Sequence, residues 1–209
     1  INNNETILIG KPGINRKTTK PAQKPAVNSL PVTDTIIIAW KISNYHDFFG
    51  GGPHNNPKIG VLREIKKDLW NKDFFNSIIL GIILMMGVYH ILLWFGRKEK
   101  TSSILFAGFC ILIFMRMLGT NNYLQRLSSK DLMYSIKVKM EYIGISAGWV
   151  MFTTFLSELF PMEFKNRLLK IFQIGGILIS LYILFTPPHI FTPLITFLNI
   201  ILILICLWI

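Results

Sequence analysis

Cysteine is nearly absent. Cys110 and Cys206 are the only two in 209 residues, and both lie inside apolar runs, where the side chain behaves as a small apolar group. A disulfide framework is excluded. Acidic residues are also scarce, 11 Asp and Glu against 22 Lys and Arg, for a formal charge of +11. In a soluble chain that excess would point to nucleic acid. No RNA-binding signature or zinc-finger spacing accompanies it, so nucleic acid is not an expected partner. The basic residues flank apolar spans, and anionic lipid and membrane topology account for them. Catalytic motifs are missing as well: there is no nucleophile elbow, P-loop, HExxH or pair of carboxylates. No catalysis and no cofactor are expected of these residues. His46 and His54 lack the carboxylate or cysteine company of a metal site, so no metal is expected either. The chain starts with Ile1, shows no signal peptide, and stops at Ile209 within an apolar run. Both ends read as cuts in a longer protein.

What the sequence has in quantity is apolar residues in long blocks: they make up 51% of the chain, and the mean hydropathy is +0.45. Phe74–Gly96 is the clearest block, 23 residues without a charge. As a helix it covers the ~30 Å hydrocarbon layer of a bilayer. Further spans are expected at 103–119, 140–160, 171–185 and 190–209, the last one cut, with Pro187–Pro188 turning the chain between the final two. The fold class expected is a membrane α-helical bundle with five visible spans, preceded by part of an all-β domain.

Residues 1–62 carry that β expectation. Thr6–Gly10 has β character, and Pro12, Pro21, Pro25 and Pro31 then forbid a long helix. Asp34–Asn44 is the best strand, with Ile36, Ile38, Trp40 and Ile42 on one face. A lone strand needs partners, and the missing ones are expected upstream of Ile1. Gly50–Gly52 and Pro53 make a loop. Residues 63–73 read as a short amphipathic linker helix, with Leu62, Ile65 and Leu69 at helical spacing and Trp70 at headgroup level.

Several residues are candidates for a role. Asn44, Tyr45 and His46, with Trp40, could form a sugar site; alternation favours Trp40 as core, and Asn44 and His46 also suit a structural turn. Arg116 and Glu141 fall at matching depth and could pair, since a lone charge in hydrocarbon costs about 2.5–3.5 kcal/mol on insertion scales. Arg116 could instead snorkel to the headgroups. His90 suits a helix-packing hydrogen bond, and Glu158 a basic partner near the end of its span. Gly144 and Gly148 form a small-xxx-small face suited to close helix approach.

Charge bias leaves orientation nearly tied. Arg97, Lys98, Lys100, Lys165, Arg167 and Lys170 lie on one side, six in all, against eight on the other: Arg63, Lys66, Lys67, Lys72, Arg126, Lys130, Lys137 and Lys139.

The order of these pieces resembles a known family. It runs from the strand through Ser43–His46, the triple glycine and Ile59–Gly60 into a span ending with Tyr89–His90 and the basic turn Arg97–Lys100. Glu141–Tyr142 then opens the third span and Phe160–Pro161 closes it. The chain is similar in this to the bacterial seven-transmembrane receptors with diverse intracellular signalling modules. The resemblance implies an extracellular domain like a carbohydrate-binding jelly roll, an outside N-terminus in the bacterial inner membrane, and seven spans followed by an output module such as a cyclase, kinase or phosphatase. The partners it implies are the lipid bilayer, a small-molecule or carbohydrate ligand and, as one option, a second copy of the chain in a homodimer. A secondary transporter with a soluble cap is the alternative, although the charges cluster near span ends and the spans look continuous apart from Gly175–Gly176.

Overall fold

The computed structural model describes residues 7, 9–22, 25–29, 38–46, 57–97, 101–121, 123, 131–162, 166–195 and 200. Four long helices dominate: α1 (Leu62–Arg97), α2 (Thr101–Thr120), α3 (Asp131–Leu159) and α4 (Asn166–Phe185). Residues 188–195 are also helical and are called α5. Each long helix packs on its neighbour in sequence, α1 on α2, α2 on α3 and α3 on α4, and no other pair of these four comes together. The arrangement is a row, with α2 and α3 as its inner members.

Helix α1 is longer than its apolar block. Gly60 lies just before it, Glu64 places an acid in its first turn, where the helix dipole favours one, and the helix then runs unbroken for 36 residues. The expected linker at 63–73 and the first span are therefore a single element. No proline falls between Leu62 and Arg97, and the Lys, Arg and Glu of the first turns are good helix formers. Trp70 and Phe74, one turn apart, stack at 5.2 Å. Helix α3 likewise begins nine residues before the expected span, because Lys137 and Lys139 lower the local hydropathy without interrupting the helix. Two helices, Leu62–Gly96 and Thr101–Thr120, are long and apolar enough to cross a membrane, and Leu169–Phe185 is a shorter apolar helix.

Ends are set by proline. Phe160 closes the last turn of α3 on the Leu156 carbonyl at 2.8 Å, and Pro161 follows. Pro187 and Pro188 stop α4, and Pro188 opens α5, where its missing N–H costs nothing. Serine and threonine inside the helices bond back to carbonyls three or four residues earlier: Ser146 to Tyr142 (3.1 Å), Thr153 to Trp149 (2.8 Å) and Ser180 to Gly176 (2.8 Å). That satisfies their hydroxyls in an apolar setting.

The buried core lies at one end of the row, where Tyr134 and Val138 of α3 meet Ile183 of α4 and Phe191 and Ile195 of α5. Lys139 Nζ donates to the Leu184 carbonyl at 2.7 Å, a cation placed at the C-terminus of α4.

The expected β domain is not seen among the described residues of the N-terminal region. Among the described residues there is no strand, and the one β feature is an isolated antiparallel bridge between Lys11 and Lys20. Residues 34–37 of the expected strand lie outside the described residues. In the rest of it, Ile38, Trp40 and Ile42 are 46%, 55% and 51% exposed, so the face expected to be core is open. High β propensity does not make a strand without a neighbour to complete its ladder.

Candidate functional site

The N-terminal residues instead build a small polar lobe. Gly10, at φ +71°, and Gly13 let residues 11–20 fold back on themselves; a Cβ at Gly10 would strike the Lys20 carbonyl. Asn15 ties the turn, its side-chain oxygen accepting from the Thr18 N–H at 2.9 Å. This loop docks on Ser43–His46. The Gly13 N–H donates to Ser43 Oγ (3.2 Å), Tyr45 Oη donates to the Ile14 carbonyl (2.8 Å), and His46 Nε2 lies 3.1 Å from the Thr19 carbonyl. A carbonyl only accepts, so His46 Nε2 carries a proton. Asn44 Oδ1 accepts from the His46 N–H at 3.3 Å. The sequence-predicted trio Asn44, Tyr45 and His46 is thus brought together, in a turn that also holds the lobe in shape.

The lobe then meets the helices. Arg16 Nη1 and Nη2 each lie 2.8 Å from a ring nitrogen of His189, in the first turn of α5, 173 residues away in sequence. Burial, then the nearby Arg16 and His46 charges, hold His189 below the usual imidazole range. Neither Arg16 nor His189 stood out in the sequence. Their one signal was that each sits beside a turn, Asn15 for Arg16 and Pro187–Pro188 for His189.

A polar clasp joins α1 to the end of α2. Asn76 Nδ2 donates to Asn121 Oδ1 at 3.1 Å, and the Ser77 and Tyr123 hydroxyls lie 3.1 Å apart. From Asn76 back to Leu62 the helix extends roughly 21 Å past this level. Deeper in, Gly87 of α1 faces Cys110 and Ala107 of α2. His90 packs its ring on Phe106 at 4.6 Å, and Phe106 continues to Phe155 of α3 at 5.1 Å. The expected packing hydrogen bond of His90 is not formed at Nδ1, which is buried without a partner among the described residues. Its ring contact takes that place.

Arg116 and Glu141 share a depth but form no ion pair with each other; an exposed ion pair joins Lys58 and Asp68 at 3.7 Å. Arg116 Cβ abuts Gly144, and Glu141 Cβ abuts Gly119, so each charged residue sits on its own glycine one helical turn from the other. Arg116 Nε is buried without a hydrogen-bond partner among the described residues. Gly144 is the closest point of α2 and α3: a Cβ there would lie 2.6 Å from Arg116 Cβ and 2.9 Å from the Leu112 carbonyl. Gly148, its partner in the expected motif, faces open space. Glu158 is exposed at the end of α3. Besides Lys139 to the Leu184 carbonyl, two side-chain bonds tie α3 to α4: Ser146 Oγ to Ser180 Oγ, 2.9 Å, with Ser146 fully buried, and Gln173 Nε2 donating to Thr154 Oγ1 at 2.8 Å. Gly176 sits against Val150 and the Ser146 carbonyl beside it. Among the described residues no group of three metal-ligating side chains converges.

Apolar helices long enough to span a bilayer, packed through glycine and serine rather than a central aqueous core, define a helical membrane protein. A family model described as 7TM diverse intracellular signalling matches residues 72–209, about two thirds of the chain, and the chain belongs to that family of transmembrane signalling receptors. Neither the curated proteins nor the solved structures include a match.

Proposed function

We propose that this chain is the sensing and membrane part of a bacterial receptor. Its N-terminal lobe faces the outside of the inner membrane and binds a small ligand, and its helices carry the response to a cytoplasmic output module. Catalysis, in this reading, belongs to that module and not to the residues described. The observation that carries the reading is that the lobe meets the helices at His189 while the chain after it enters α1, a 36-residue helix with no break at the membrane boundary. A ligand shifts a receptor only by binding one arrangement better than another. A lobe that precedes α1 in the chain and meets the α4–α5 turn through Arg16 and His189 can favour one arrangement of these helices over another.

Orientation tests it. Lys58→Cys and Thr101→Cys are made separately in a chain whose own cysteines are replaced by alanine, and whole cells are treated with a thiol reagent that cannot cross the bilayer. Both positions are exposed. Labelling at 58 and protection at 101 is the expected result, and the reverse pattern overturns the proposal.

A further inference from the structure

We infer that the junction of the lobe and the α4–α5 turn is a binding site for the phosphate or carboxylate group of an anionic ligand, held between Arg16 and His189. The inference rests on the receptor reading only in placing this site outside the cell.

Among the described residues, neither the lobe nor the α4–α5 turn supplies an acidic side chain. A guanidinium can only donate, and a neutral imidazole offers one accepting nitrogen. Arg16 nevertheless approaches both ring nitrogens of His189 at 2.8 Å, so at one of the two contacts an N–H faces an N–H. His46 adds a third nitrogen-bearing group near enough to depress His189. The first turn of α5 contributes the partial positive charge of a helix start. On the α3 side, the nearest cation identified, Lys139, is committed to the Leu184 carbonyl. The described residues of the lobe hold Lys11, Arg16, Lys17, Lys20 and Lys41, and no Asp or Glu. An anion between Arg16 and His189 would accept from both and remove the conflict, because charge-assisted bonds of this kind are the strong ones. A neutral sugar would not. Such a ligand would also bridge the lobe to the helices where Arg16 meets His189.

Protonation has a definite sign here. His189 is held below the ordinary imidazole range, so without an anion its ring takes up a proton only in more acidic solution. An anion raises that pKa, and its binding tightens as the pH falls.

The test uses the full chain in phosphatidylcholine nanodiscs, titrated calorimetrically with inorganic phosphate, succinate and glucose at pH 6 and pH 8. Phosphate or succinate should bind, more tightly at pH 6, and glucose should not. Arg16→Ala and His189→Ala should each weaken the anion about tenfold, and Arg16→Lys less, as expected for one charge-assisted contact. Arg16 is exposed, so its variants report on the site rather than on folding. In a second arm the nanodiscs contain phosphatidylglycerol. Competition that disappears in the variants identifies a lipid headgroup as the source of the anion; unchanged affinity identifies a soluble one. The proposal is overturned if neither anion binds and phosphatidylglycerol is not held through Arg16 and His189, if glucose binds as well as the anions, or if the variants bind like the parent. None of these results depends on which way the protein faces, so the labelling experiment fails or succeeds separately.

Discussion

The two helix seams on either side of α2 are built differently. Against α3, α2 comes close enough for backbone to touch backbone: Gly144 meets the Leu112 carbonyl, and Gly119 meets the Lys137 carbonyl. Met151 of α3 fills the space at Gly108, and Phe106 and Phe109 of α2 pair with Phe155 and Phe152. Against α1, α2 makes one close glycine contact, at Gly87, and the polar clasp at Asn76; elsewhere α1 is exposed or half-buried along its whole length. In lipid, where apolar burial does not by itself favour one helix partner over another, close packing decides which helices stay together. Among the described residues the α2–α3 seam is therefore the tighter of the two.

That contrast can be broken most severely at Gly144. An alanine there gains up to about 1 kcal/mol of helix propensity but strikes backbone atoms that cannot move without parting the helices, at a cost of about 1–3 kcal/mol. Gly144→Ala should lower the unfolding temperature of the purified protein, while Gly148→Ala, which meets nothing, should leave it unchanged or raise it. A smaller loss is expected for Ser146→Ala. Intramembrane hydrogen bonds average about 0.6 kcal/mol, and Ser180 keeps its own bond to the Gly176 carbonyl when its partner is removed. The smallest effect sharpens the comparison: Gly87→Ala places a Cβ 3.3 Å from Cys110 Cβ, a few tenths of an ångström too close, and the propensity gain offsets that strain. Gly87→Ala and Gly144→Ala should thus separate clearly in a thermal melt, and equal losses would mean that the two seams are alike.

Much of the membrane part was legible in the sequence because hydropathy is a local property. Phe74–Gly96 and Ser103–Gly119 stand out by composition and lie within α1 and α2. The early starts of α1 and α3 were hidden for a related reason. Charged residues end a hydropathy window but not a helix, and the unbroken spacing of Leu62, Ile65 and Leu69 was the better guide. In the N-terminal region β propensity pointed to a strand over Asp34–Asn44, and its described residues, 38–44, do not form one. Of the site, Asn44–His46 was visible as a turn with donors. Arg16 and His189 were not, since nothing local records that residues so far apart meet. Gly144 and Gly148 show the same limit at finer scale: identical spacing, one at a contact and one in open space, and only the neighbouring helix tells them apart.

The unbroken run of α1 has a further consequence. A helix has a phase as well as a length, and each residue added turns everything beyond it by about 100° and moves it by about 1.5 Å. The lobe that precedes α1 meets α5 at Arg16 and His189, and about four turns into α1 the Asn76 clasp holds the helix against the end of α2. A single-residue insertion at Lys66 would put those two fittings out of alignment like a mis-indexed gear, whereas inserting a full turn would nearly restore them.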